Sequence, residues 1–341
     1  MKLRIALAVL AGTAAAAGWA KPAAPGYQIV SSTVIGGDGG WDAIELDSAG
    51  RLYIGRSAVV QVFDTAKHAL VGTIPQTGGV HDIAFDPALG RGYVSNGADN
   101  TVAVFDTKTL KPAGSIPVGR GPDIMMFDPA TKRVFSFNGG TNDTTAIDTA
   151  TGKVAGTLAL GGKPEFAVPD GKGTVYVNLE DTSEIVAFDA KALTVKKRWS
   201  LAPGDGPTGL AIDHVHDRLF SACANGMMVV SDPKAGKVVA TPAIGNGADG
   251  LAFDSKTGLA FSPNGRDGTL TVIHEDSPDK YSVVETAKTE PGARTMALDT
   301  KNGHVFLVTA KPDPAPPAPG ANPRRRRFLA GSFAVLEVVR K

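Results

Sequence analysis

The chain is expected to be all-β, folded as a seven-bladed β-propeller of four-stranded antiparallel blades, and three observations carry that expectation. An Asp that ends a short apolar strand recurs at Asp47, Asp86, Asp128, Asp170, Asp213, Asp254 and Asp299, at spacings of 39 to 45 residues. A period near 42 residues with four strands per unit is that of a propeller blade. Within each period, short β-rich runs are bounded by Gly, Pro, Asn and Asp, which leaves no room for a helix of ordinary length. The seventh period, finally, reaches Lys341 with only three strands.

Taken in order, the chain opens on a targeting segment. Lys2 and Arg4 form a basic start, Ile5–Leu10 an apolar stretch, and small residues run on to Ala20. Residues 1–20 read as a signal peptide, cut after Ala20 or within the Ala14–Ala17 run. The stretch is too diluted by Gly and Ala for a membrane anchor. The expectation is an exported chain, periplasmic or secreted, with residues 21–341 forming one propeller domain. Removing Lys2 and Arg4 leaves 33 basic against 34 acidic residues, so bulk charge does not select nucleic acid as a partner.

Val30–Gly37 matches the fourth strand of the third unit, Ala155–Gly162, and is expected to complete the last blade. Second strands follow as Leu52-Tyr53-Ile54, Tyr93-Val94, Val134–Phe137, Val175-Tyr176-Val177, Leu219-Phe220, Leu259-Ala260-Phe261 and Val305-Phe306-Leu307. Third strands end in Asp64, Asp106, Asp148, Asp189 and Asp232, and diverge at His274 and Glu337. The single cysteine, Cys223, ends an apolar strand with no basic neighbour, so it reads as a buried structural thiol.

These units resemble the YVTN-type propeller repeat. Tyr93-Val94-Ser95-Asn96 is the nearest match, with Asn100–Asp106 following as in that family. More narrowly, Gly39-Gly40-Trp41-Asp42, Gly161–Val168, Glu275–Lys280 and Gly331-Ser332-Phe333 make the chain similar to exported YncE-like propellers of bacteria. The resemblance spans essentially the whole mature chain. It implies the fold and names no reaction.

In such a fold the blade-to-blade connections and the second-to-third-strand hairpins share one face, here the upper. The residue five before each repeat Asp, where the innermost strand begins, is Asp42, His81, Asp123, Glu165, Thr208, Asp249 and Arg294. A mostly acidic ring is therefore expected at the upper channel mouth, with Asp82 as a further carboxylate and Trp41 either packing at the rim or stacking a ligand. Polar residues at strand starts satisfy backbone groups. Convergent oxygens also suit a cationic ligand, an amine or a divalent cation. Crowded carboxylates raise one another's proton affinity, which would serve acid–base chemistry.

The second-to-third-strand connection of the seventh unit carries a Pro-rich insert, residues 311–330, containing Arg324-Arg325-Arg326-Arg327. It is expected on the upper face, either as a solvated loop, as a cover latched over the acidic ring, or as a site for an anionic partner. His214 and His216 lie on a lower-face turn with no third ligand at a zinc spacing, so they read as surface residues. The Asn96–Asn100, Asn138–Asp143 and Asn264–Gly268 turns lack the ligand order of a calcium loop. No GxSxG, HExxH or phosphate loop occurs. No catalytic residue, resident metal or cofactor is assigned. The function expected is a non-catalytic binding or scaffold protein working through the upper face, for a small cationic ligand or a protein. A lyase- or hydrolase-type enzyme at the channel mouth, and a nucleic-acid or anionic-envelope binder using Arg324–Arg327, are the alternatives.

Overall fold

Seven four-stranded antiparallel sheets account for every strand of the computed structural model, which describes residues 26–37, 39–75, 77–315 and 327–341. The expected leader lies outside the described residues, as do Arg324, Arg325 and Arg326. Six blades are continuous in sequence. The seventh is built from Met296–Asp299, His304–Thr309, Ala334–Arg340 and, on its outer edge, the N-terminal strand Tyr27–Val34. No helix among the described residues is long and apolar enough to cross a membrane.

The repeat Asp has a local role. Its carboxylate accepts backbone N–H groups from the turn that follows: Asp86 takes those of Ala88 and Leu89, and Asp213 those of Val215 and His216. The aspartates ending the third strands do the same on the same lower face, as when Asp106 accepts from Lys108 and Thr109. Such bonds stabilise the ionised carboxylate, so Asp106, Asp148 and Asp189 are held below the usual carboxylate range, as is Asp64, there first by the Lys67 ammonium and then by the turn N–H groups.

The core is divided among seven apolar clusters, one in each seam between adjacent blades. Strand alternation explains the division, because successive side chains leave a strand on opposite faces. From the second strand of the seventh blade, Phe306 and Val308 enter the seam with blade one, whereas Val305 and Leu307 enter the seam with blade six. Tyr27 joins the latter and meets the Phe261 ring edge-on at 5.4 Å.

Closure rests on the ladder between Tyr27–Val34 and Ala334–Arg340, which runs from Tyr27 opposite Arg340 to Val34 opposite Ala334. Around it, Glu337 accepts from His304 at 2.6 Å and lies 3.7 Å from His68 of blade one, whose ring also bonds Ser31 of the closing strand. Removing residues 1–35 should therefore open the seam, and Tyr27→Ala should cost roughly 3 kcal/mol through the cavity left in it. Chemical denaturation of both variants checks this; a truncated chain as stable as the full one would contradict the closure.

Candidate functional site

The ring position acquires its geometry from a β-bulge. In blades two to five the ladder between first and second strands slips at Val80/Ile83, Pro122/Met125, Pro164/Ala167 and Pro207/Leu210. His81, Asp123, Glu165 and Thr208 lie in the slipped segments, where an extra residue bends the strand and re-aims its side chains. In blades one, six and seven the inner strand begins later, at Ile44, Ala252 and Met296, so Asp42, Asp249 and Arg294 precede it.

Five of the seven ring residues form one chain of charge across adjacent blades. His81 Nδ1 lies 2.7 Å from Asp42 Oδ2 and 3.5 Å from Asp123 Oδ1. The other Asp42 oxygen lies 3.2 Å from an Arg294 terminal nitrogen, and Arg294 Nε donates to Asp249 at 2.7 Å. Arg294 also donates to the Trp41 carbonyl. On the far side, Lys163 donates to Glu165 at 2.8 Å and to Glu180, a pair outside the repeat pattern.

Glycines make room for this constellation. A Cβ on Gly97, in the blade-two hairpin, would stand 2.9 Å from the His81 ring. One on Gly265 would stand 2.6 Å from the Arg294 Cβ. The Asn-Gly dipeptides of these two hairpins thus also seat ring side chains.

Asp82, Thr208 and Trp41 stay outside that chain of charge. Asp82 is buried below the rim, its two oxygens accepting the Ile83 and Met125 N–H groups at 2.8 and 2.9 Å. Thr208 turns its hydroxyl toward the Ala222 and Ala248 carbonyls. Trp41 is buried, with its ring centroid 4.7 Å from that of Phe328 and 5.2 Å from that of Phe333, so rim packing is its role. Because Phe328 belongs to the foot of the insert, the insert does leave from the upper face. Arg327, the one described member of the Arg run, pairs with Asp313 at 3.0 Å. Beside Asp249 and Arg294 a depression of about 1220 Å³ opens, walled in part by Trp41 and Phe328.

Cys223 is buried, and burial pushes its thiol up to about 12, as a structural thiol requires. His214 joins no cluster, but His216 does: its Nδ1 lies 2.8 Å from Asp213 and 3.3 Å from Glu275 of blade six. Sequence spacing missed that group because Glu275 arrives from another blade. It missed Glu45 as well, although a signal existed. The residue two before the repeat Asp is apolar in six blades, from Ala84 to Ala297, and is Glu45 in the first.

Burial dominates the mouth electrostatics. It pushes Asp123 up to about 6 against the opposing charge of His81, with Asp42 adding to the rise. It pushes Asp82 up to about 7 despite the two N–H bonds that favour its ionised form. Asp249 is raised for the same reason, with Arg294 opposing. The Asp42 hydrogen bond, outweighing burial, raises His81. Burial alone would lower the Arg294 guanidinium, but Asp249 and Asp42 reverse that.

Compared with known proteins, no family model matches the chain, and no curated protein matches it in sequence. Among solved structures, a chain of the Kuenenia stuttgartiensis hydrazine synthase superposes with a TM-score of 0.71 at 17% identity, over 81% of this chain and 94% of that one. A chain of a mitotic checkpoint complex superposes with a TM-score of 0.72 at 12% identity, over 88% and 95% respectively. At these identities the likeness is one of fold alone.

A pH dependence follows. Groups whose folded pKa lies above the unfolded one keep protons that the unfolded chain releases, so stability falls as pH rises through that interval. For Asp123 the interval runs from about 4 to 6, and for Asp82 from about 4 to 7. The raised His81 acts in the same direction, losing its contribution as pH rises through its folded pKa. Asp64, Asp106, Asp148 and Asp189, held below the usual carboxylate range, titrate below this window. Melting temperature should therefore fall between pH 5 and 8. Asp123→Asn should raise it at pH 8 by an amount equivalent to about 1 to 2 kcal/mol, the mouth being part-solvated. A wild-type melting temperature that rises over this range would contradict the mouth electrostatics.

Proposed function

We propose that this propeller is an exported protein of the YVTN-repeat, YncE-like kind that binds a positively charged ligand on its upper face without transforming it. The leader-like residues 1–20 and the repeat pattern support export and kinship. The observation that carries the binding reading is the meeting of Asp42, His81 and Asp123 from three adjacent blades, with one ligand atom of each within 4.8 Å of the others. Arg294 holds Asp42 Oδ1, and Asp42 Oδ2 is the oxygen that meets the His81 ring. Two carboxylates and an imidazole suit a borderline divalent cation such as Zn²⁺ or Mn²⁺, and they equally accept an amine. The neighbouring depression offers room for whatever carries that charge.

A second reading, an acid–base enzyme of lyase or hydrolase type, draws on Asp123 and His81, which lie 3.5 Å apart and whose proton affinities are both raised. Against it, the imidazole is flanked by two carboxylates that favour its protonated form, and the sole thiol is buried. An anionic partner held by Arg324–Arg327 would show binding that weakens steeply with salt.

Thermal shift on chelator-stripped protein tests the first reading. Saturating Zn²⁺ or Mn²⁺, at about 100 times the dissociation constant, should stabilise the wild type by roughly 2.7 kcal/mol. This mouth contribution should vanish in Asp42→Asn/Asp123→Asn. If no divalent cation or amine shifts the wild type, or if the double variant responds equally, the mouth is a structural network only.

A further inference from the structure

On the lower face, blade six reaches over blade five. Its third strand, Thr269–Ser277, runs for nine residues, against six in each of the first five blades. The longer hairpin brings Glu275 to the turn that follows Asp213 in blade five. Arg218 fixes the overhang, donating from Nε to the Pro278 carbonyl and from a terminal nitrogen to Asp279, both at 2.8 Å. In the turn itself, the two Asp213 oxygens accept the Val215 and His216 N–H groups, which winds the chain so that the imidazole returns to the same carboxylate. His216 Nδ1 then stands 2.8 Å from Asp213 Oδ2 and 3.3 Å from Glu275 Oε1.

Donors are short in this group. The Asp213 and Glu275 side chains keep only 1% and 3% of their surface, whereas His216 is about half-exposed. Nδ1 carries at most one proton for two carboxylates, and Asp213 is the nearer. The Tyr281 hydroxyl also has a single proton, and the Pro278 carbonyl at 2.8 Å competes for it better than Glu275 at 3.3 Å. Arg218 is committed to three carbonyls and to Asp279. Glu275 is therefore a buried carboxyl that receives only the longer contact of each donor, and it faces a second buried carboxyl. Charge buried without compensation is costly. Burial raises the proton affinity of Glu275, Asp213 adds to the rise, and His216 opposes it.

We propose that Asp213, His216 and Glu275 bind Zn²⁺ or a similar borderline divalent cation, which bridges blades five and six. One ligand atom of each lies within 4.8 Å of the others. Zinc stands about 2.0 to 2.2 Å from nitrogen and oxygen ligands, so two ligands of one tetrahedral ion are roughly 3.3 Å apart, close to the spacings of this group. The imidazole directs the choice away from calcium and magnesium, which take oxygen. A bound ion displaces the proton from Nδ1 and supplies both carboxylates with the charge they lack. Three protein ligands leave a further position for water. The group shares no residue with the mouth and lies on the opposite face, so the inference goes beyond the mouth reading.

Calorimetric titration of the chelator-stripped full chain with Zn²⁺, in the Asp42→Asn/Asp123→Asn background, tests the inference. One equivalent should bind, at least tenfold more tightly than Ca²⁺. His216→Ala or Glu275→Gln should weaken binding at least tenfold, and His214→Ala, outside the group, should leave it unchanged. No saturable Zn²⁺ binding in that background, equal affinity for Ca²⁺, or binding undiminished by His216→Ala would overturn the proposal. Should Glu275→Gln fail to fold, His216→Ala decides, because that side chain is exposed on a turn. If the wild type binds Zn²⁺ and the mouth double variant binds none, the lower site fails while the mouth reading stands. If wild type and double variant both bind one equivalent that His216→Ala removes, the lower site stands and the mouth holds no zinc.

Discussion

The antiparallel ladder between Tyr27–Val34 and Ala334–Arg340 sets the geometry of everything else, because a propeller has no core until it is closed. Each blade buries its two faces only against its neighbours, and each apolar cluster occupies a single seam. Leaving the seventh blade with three strands would expose a sheet edge and weaken two seams together. Closure also fixes the channel radius. Asp42 and Arg294 stand on opposite sides of the seam between first and last blades, so their 3.2 Å contact exists only in the closed ring. His68 of the first blade meets Glu337 across the same seam, while His304 holds Glu337 from within the seventh blade.

The same residue type is used in opposite ways at the two ends of the molecule. On the lower face, aspartates accept turn N–H groups in water, and their carboxyls are held below the usual range. They are turn chemistry at the ends of the third strands. At the upper mouth and in the channel, carboxyls are enclosed by the inner strands. Burial outweighs the nearby cations, so Asp123, Asp249 and Asp82 are raised. A closed ring of strands concentrates like charges where solvent is least able to screen them. That contrast separates acids that build the scaffold from acids that still lack compensation, and the latter are where a cation gains most.

The bulges link fold to site. Without the slip in blades two to five, His81 and Asp123 would alternate into the seams as ladder residues do. Ser95 accepts the Asp82 N–H at 2.8 Å, and so occupies one backbone donor at the slip in blade two. Gly97 then clears the space that the imidazole fills.

How much of this was legible in the sequence varies with the kind of interaction. The recurring Asp and the strand alternation are local chemistry, set by turn hydrogen bonds and a two-residue period, so blade number and seam faces could be read directly. The fourth strand missing from the seventh unit, together with its match at Val30–Gly37, indicated the closure. The ring position followed from counting back along the repeat, and five of its members do join. Asp82 and Thr208 did not join it as their position suggested, because backbone donors and carbonyls claimed them, and Trp41 took the packing role at the rim rather than the ligand-stacking one. Those competitors come from elsewhere in the chain. The partnership of His216 with Glu275 and that of Lys163 with Glu180 were decided by tertiary structure alone. Pairing and burial are properties of what surrounds a side chain, and in a closed ring those surroundings come from neighbouring blades and, at the closing seam, from both ends of the chain.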